Sequence, residues 1–272
     1  MIENPTESLV SDGAALLDLE GSVARLQLNR ADSANGLDID MLAALHRALI
    51  LCHGDPRIRV VLMTGKGANF CAGGDVRTFA SKGESLPYYI RQATHYLQIV
   101  IGAMIRLHAP IVVAVQGFAA GGGGMGLVCA ADLVLAGESA KFLAAATRVG
   151  MAPDAGLSVT LPRLIGTRKA TEMLLLNTTV AASEALTLGL VNRVVPDTQL
   201  AAAAMAYAVE LAAAAPQALA ATKRLLWTGV GLSVEAAMPE ESRTVADLCR
   251  TDDVREGLAA VIEKRAARFS GR

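Results

Sequence analysis

Cysteine is scarce in this sequence and scattered. Cys52, Cys71, Cys129 and Cys249 are the only four, and no two stand at C-x-x-C spacing. Neither a zinc site built on thiolates nor a disulfide framework is therefore indicated, and reduced thiols in a cytoplasmic protein are the simpler expectation. Net charge is missing as well: 25 Lys and Arg face 26 Asp and Glu, a formal charge of −1. Nothing in that balance points to nucleic acid or an anionic membrane as a partner. The opening MIENPTESLVSDG lacks the basic-then-apolar order of a signal peptide. Absent too are a GxxxxGK[ST] phosphate loop and a GxSxG nucleophile elbow. His46, His53 and His108 show no metal spacing with one another or with acidic residues.

Apolar residues are what the chain has in plenty. At 53% hydrophobic over 272 residues it can bury a sizeable core, as one large domain or one domain with a smaller appendage. One uncharged run, Ile111 to Ala131, is long enough to span a bilayer. It opens, however, as β-branched IVVAV and then breaks into glycines, each costing a helix about 0.8–1 kcal/mol relative to alanine. Charged flanks together with an aromatic belt are also missing. A buried strand entering a glycine loop is the better expectation.

The pattern along the chain alternates strand and helix. ALLDLEGSVARLQLNR predicts two strands turning at Glu20-Gly21-Ser22, and Ile39 to Cys52 has helical spacing. Arg59–Gly65 predicts a buried strand, 86–107 a helix, IVVAV and DLVLAG further strands, and MGLVCAA a short helix near Gly124. Such alternation favours an α/β domain with largely parallel strands. From about Thr198 the pattern is helical to the end, so the expected organisation is a core over 1–197 and a helical region over 198–272.

Two glycine-rich loops each follow a strand: FCAGGD (Phe70 to Asp75) and GFAAGGGGMG (Gly117 to Gly126). Glycine leaves the backbone N–H open to a ligand, and two N–H groups converging from separate loops would make an oxyanion hole. A helix starting within the second loop would add its positive end. Tight strand-to-helix turns are the plainer alternative for either loop alone.

These loops belong to a longer series. LNR (Leu28 to Arg30), FCAGGD, AVQGFAAGGGGMG, ADLVLAGESAKF, VGMAPDAG, LPRLIG, ALTLGLVNRVVP and DDVREGLAAVIEKRAARF occur in one order from about Ala14 onwards. In that combination the chain resembles the crotonase family, the enoyl-CoA hydratase/isomerase superfamily. The resemblance implies a spiral of ββα units with a helical C-terminal trimerisation region, assembled as homotrimers or pairs of trimers. It also implies an acyl-CoA thioester substrate and no metal or redox cofactor, coenzyme A being part of the substrate. Carried over residue by residue, the oxyanion donors fall on Gly74 and Gly123. The second loop is one residue longer than the usual pattern, which leaves Gly122 open as the donor. Ala72 and Gly73 would line the CoA path. Arg30, Lys66 and a neighbouring subunit's Lys264 or Arg265 would meet the CoA phosphates, each being equally readable as an ordinary solvated charge.

The departures from the family pattern are informative. Counting back from Asp132 puts Gly126 where hydratases carry one catalytic glutamate, and counting back from Gly150 puts Ala146 at the other. Syn-addition of water needs a base and an acid, so ordinary hydratase chemistry is in doubt. Asp154, in MAPDAGLS, matches the position where isomerases of the family carry an acidic base. One carboxylate suffices to move a double bond, and an apolar pocket should raise its pKa. The alternative is that Asp154 caps a Pro-Asp-Ala-Gly turn. Asp75 is expected to order the first loop, Glu138 to lie in an exposed turn, and His95 to sit on a helix beside the acyl pocket. An atypical hydratase and a catalytically silent acyl-CoA-binding subunit remain as the other readings.

Overall fold

The computed structural model describes residues 6–272. Strand β1 (Thr6–Val10) edges an antiparallel hairpin of β2 (Ala15–Glu20) and β3 (Val23–Leu28). The hairpin follows from sequence: every second residue of β2 is buried, and the turn falls at Gly21-Ser22. Helix α1 (Ile39–Gly54) starts where the Asp38 carboxylate accepts the Met41 N–H at 2.8 Å. It returns the chain to β4 (Val60–Gly65), parallel to β3. The short α2 (Val76–Ala80) and long α3 (Leu86–Arg106) precede β5 (Ile111–Val115), parallel to β4.

The charge-free run beginning at Ile111 is thus cut into three elements: β5, β6 (Phe118–Ala120) and α4 (Gly121–Cys129). Among the described residues no single helix is long and apolar enough to cross a membrane. Next come β7 (Leu133–Gly137), β8 (Lys141–Leu143), α5 (Leu157–Ile165), α6 (Thr167–Leu176), β9 (Val180–Ala181), α7 (Ala182–Leu188) and β10 (Arg193–Val195). Among the described residues the main sheet has seven strands in the order β1-β2-β3-β4-β5-β7-β10, parallel from β3 onwards. A second sheet, β6-β8-β9, holds the segments that leave the first. This is the α/β architecture of ββα units.

Both faces of the main sheet are covered. One face, with α1, α3 and α4, forms the larger core; the other packs Val60, Leu62, Val112 and Ala114 against Leu200, Ala204 and Ala208 of α8 (Leu200–Ala212). That two-sided burial is why IVVAV carries no polar residue, each fully buried Val contributing roughly 1.5–3 kcal/mol. Three more helices follow, α9 (Pro216–Gly229), α10 (Val234–Leu248) and α11 (Asp252–Glu263). A buried ion pair ties α9 to the sheet: Lys223 Nζ lies 2.7 Å from Asp132 Oδ2, which also accepts the Ile111 N–H at 2.7 Å.

Candidate active site

The two glycine loops are brought side by side by backbone pairing. Cys71 and Ala119 form a parallel bridge: Cys71 N–H donates to Phe118 O at 3.0 Å and Ala120 N–H to Cys71 O at 2.8 Å. Gly73 shows why the loops need glycine. Its φ is +90°, and a Cβ there would stand 2.6 Å from Ala120 O. The first loop is also sewn to the chain before α1, with Leu37 N–H donating to Gly73 O at 2.7 Å and Ala72 N–H to Ala34 O at 3.0 Å.

Helix α4 begins at Gly121, three residues before the expected Gly124. Its glycines are helical through packing rather than propensity, since every residue from Gly122 to Cys129 is buried. The N–H groups of Gly74 and Gly123 have no hydrogen-bond acceptor among the described residues, as befits a first helical turn and a loop that opens on a cavity. Gly74, Gly122, Gly123 and Ala72 all line one cavity of about 230 Å³.

Asp154 lines the same cavity. A Cβ on Gly122 would overlap Asp154 Oδ1, so this glycine leaves the room in which the carboxylate sits. Burial raises the Asp154 pKa above its ordinary value, because desolvation penalises the charged form. The cavity walls are otherwise largely apolar, with Leu37, Phe79, Ile90, Leu97 and Val149 among them.

Gly126 and Ala146, where the resemblance led one to expect the glutamates of a hydratase, are also placed. Gly126 is buried in α4, where a Cβ would meet the Ala155 methyl. Ala146 opens the 3-10 turn Ala146–Val149 and lines the cavity. Neither supplies a proton-transfer group.

Several polar residues stand elsewhere than at the cavity. His95 is exposed on α3, whose inner face sends Ala93, Thr94 and Leu97 to the wall instead. Glu138 is exposed in the turn after β7. Arg30, expected at the CoA phosphates, has its guanidinium engaged: 2.9 Å from Asp38 Oδ2, 3.0 Å from Asp75 Oδ2 and 2.6 Å from Gly36 O. Asp75 caps α2 by accepting the Thr78 N–H at 3.0 Å. Desolvation opposes its charge, but hydrogen bonds from Thr78 and Arg30 outweigh that and hold the carboxyl below the usual carboxylate range. Lys66 is exposed next to the first loop, its Nζ 2.9 Å from Asn29 Oδ1. Lys264 is exposed at the end of α11, away from the cavity. Among the described residues no three His, Cys, Asp or Glu side chains are grouped to hold a metal ion.

One supporting residue carries no signal in the sequence. Asn35 is fully buried with φ +55°, and its amide donates to Lys66 O at 3.0 Å and Asn69 O at 2.8 Å. Its Oδ1 accepts the Arg30 N–H at 2.9 Å, so a single amide pins the base of the first loop.

Residues 18–272 match the family model described as enoyl-CoA hydratase/isomerase. The chain belongs to that family. A probable enoyl-CoA hydratase of Rhodobacter capsulatus is 35% identical over 97% of this chain and 96% of its own. The 1,2-epoxyphenylacetyl-CoA isomerase of Escherichia coli is 31% identical over 94% of this chain and 98% of its own. A crystal structure of an enoyl-CoA hydratase from Polaromonas sp. JS666 superimposes with a TM-score of 0.91 at 31% identity, covering 95% of this chain and all of that one. As an enoyl-CoA hydratase/isomerase family member, the protein is an enzyme of hydratase/isomerase type acting on acyl-CoA substrates.

Proposed function

We propose that this enzyme shifts the double bond of an unsaturated acyl-CoA, with Asp154 as its acid–base group. One observation carries the reading: Asp154 is the only carboxylate among the described residues lining the cavity that holds both glycine loops. The thioester oxygen accepts the N–H groups of Gly74 and Gly123, which stabilise the negative charge that develops there. Asp154 takes a proton from one carbon, leaving a dienolate, and returns it two carbons along. The double bond moves and no atom is gained or lost. Its pKa, raised by burial, makes it a stronger base than an ordinary carboxylate, which suits a group that must accept and then return a proton.

Ala72, Gly73 and Gly122 form the thioester path in this reading. Lys66 and a neighbouring subunit's Lys264 meet the CoA phosphates, while Arg30 braces the first loop through Asp38 and Asp75. The helical region over 198–272 assembles subunits as trimers or pairs of trimers, a role supported by exposed apolar side chains such as Leu226, Val234, Val261 and Ile262. The name of the Escherichia coli relative favours a second reading, in which the same base serves the rearrangement of a ring or epoxide CoA ester.

The test compares double-bond migration and crotonyl-CoA hydration for the wild type and Asp154→Asn. Migration by the wild type should fall about 10²–10⁴-fold in the variant, the usual contribution of a positioned acid–base group. Robust hydration by the wild type, or full isomerase activity in the variant, would overturn the reading. Binding of acyl-CoA without turnover of any substrate would identify a silent subunit instead.

A further inference from the structure

A second charged residue lines the cavity, and the reaction above does not use it. Arg148 stands on the 3-10 turn Ala146–Val149 and lines the cavity together with the apolar Val149, Phe79 and Ile90. A guanidinium carries five N–H donors, and among the described residues that of Arg148 makes one hydrogen bond: Nη2 donates to Asn177 O at 3.1 Å. Asn177 ends α6 in a left-handed conformation, so this bond caps the helix and aims the guanidinium as well. Arg148 makes no ion pair among the described residues. It does not neutralise Asp154 either: burial alone pushes that carboxyl up, and no cation offsets it.

Arg148 and the adjacent Val149 are exposed, so the guanidinium stands at the solvent-facing side of a largely apolar wall. There an orientated, unpaired guanidinium matches a planar anion, because two parallel N–H groups bind a carboxylate bidentately. The apolar side chains beside it suit hydrocarbon. We infer that Arg148 is a specificity residue for an acyl-CoA whose tail ends in a carboxylate, the tail lying along the apolar wall. The inference rests on the proposed reading of the site as an acyl-CoA site with its thioester at the glycine loops. It adds the chemical class of the acyl group.

Binding of saturated acyl-CoAs separates this inference from the isomerase reading, since no turnover is required. Calorimetry would compare hexanoyl-CoA with adipoyl-CoA, and octanoyl-CoA with suberoyl-CoA, each pair matched in length and differing in the terminal carboxylate. The wild type should prefer the carboxylate form at one length or both. That preference, taken as a ratio, should drop about 10–100-fold in Arg148→Gln and be partly kept in Arg148→Lys, as expected for a charge-assisted bidentate pair. Because a ratio is read, a general loss of folded protein does not imitate the effect. A wild type with no carboxylate preference at either length overturns the inference. So does an Arg148→Gln variant that weakens both members of each pair equally, which would place Arg148 at the CoA phosphates or in the fold alone. Failure of double-bond migration leaves this binding ratio readable, so the two ideas fall separately.

Discussion

Burial holds the Asp154 carboxyl above its ordinary value of 3.8, with desolvation as the leading cause. In the unfolded chain the same group titrates near its ordinary value. The folded protein therefore binds the extra proton between those two pH values, and stability is full below the unfolded pKa and is lost as pH rises through the folded one. Asp154→Asn should accordingly raise Tm at neutral pH, with the gain vanishing in acid below the carboxylate range. A thermal-unfolding series across pH checks this, and a variant less stable than the wild type at neutral pH would contradict it. Activity runs the other way: below the Asp154 pKa, kcat/KM should fall about tenfold per pH unit as the base takes up its proton. Both results together, a stabilised variant and a lost activity, would mark Asp154 as a functional position rather than a turn cap.

At the scale of elements, the arrangement depends on short pairings between segments far apart in sequence. Arg30 joins the end of β3 to Asp38 before α1 and to Asp75 after the first glycine loop. Arg30→Met should lower stability by about 1–3 kcal/mol, as loss of a part-buried ionic network does, and should lower kcat more than it raises KM. Unchanged Tm with a raised, salt-sensitive KM would return Arg30 to the CoA phosphates. The long elements were legible in the sequence because each satisfies a periodic pattern alone: the β2–β3 hairpin alternates, α1 and α3 repeat at helical spacing, and β5 is apolar throughout. The polar strand β1 and the tiny β6, β8 and β9 were not, because two or three residues carry no period and their pairing partners are distant. For the same reason Asn35 escaped notice, as its partners lie 31 and 34 residues away. Asp154 and both glycine loops stand out in the sequence and share one cavity in the structure, whereas Arg148 gained meaning only when the 3-10 turn placed it on the cavity wall.

At the scale of the molecule, the later helices leave apolar side chains in water, Val261 and Ile262 being 78% and 80% exposed. Such a surface fits contact with further copies of the chain. Sedimentation should show a trimer or hexamer, and Val261→Glu with Ile262→Glu should dissociate it while leaving the far-ultraviolet spectrum intact. A monomeric wild type would remove the assembly proposal. The bridge between Cys71 and Ala119 has a wider consequence. It makes the two glycine loops one prefabricated part, while Asp154, the proton carrier of the proposed reaction, arrives separately, on the turn before α5. Division of labour of this kind lets a designer exchange the reaction without rebuilding the anion cradle: a carboxylate is moved from one wall to another, and the pair of loops is left untouched.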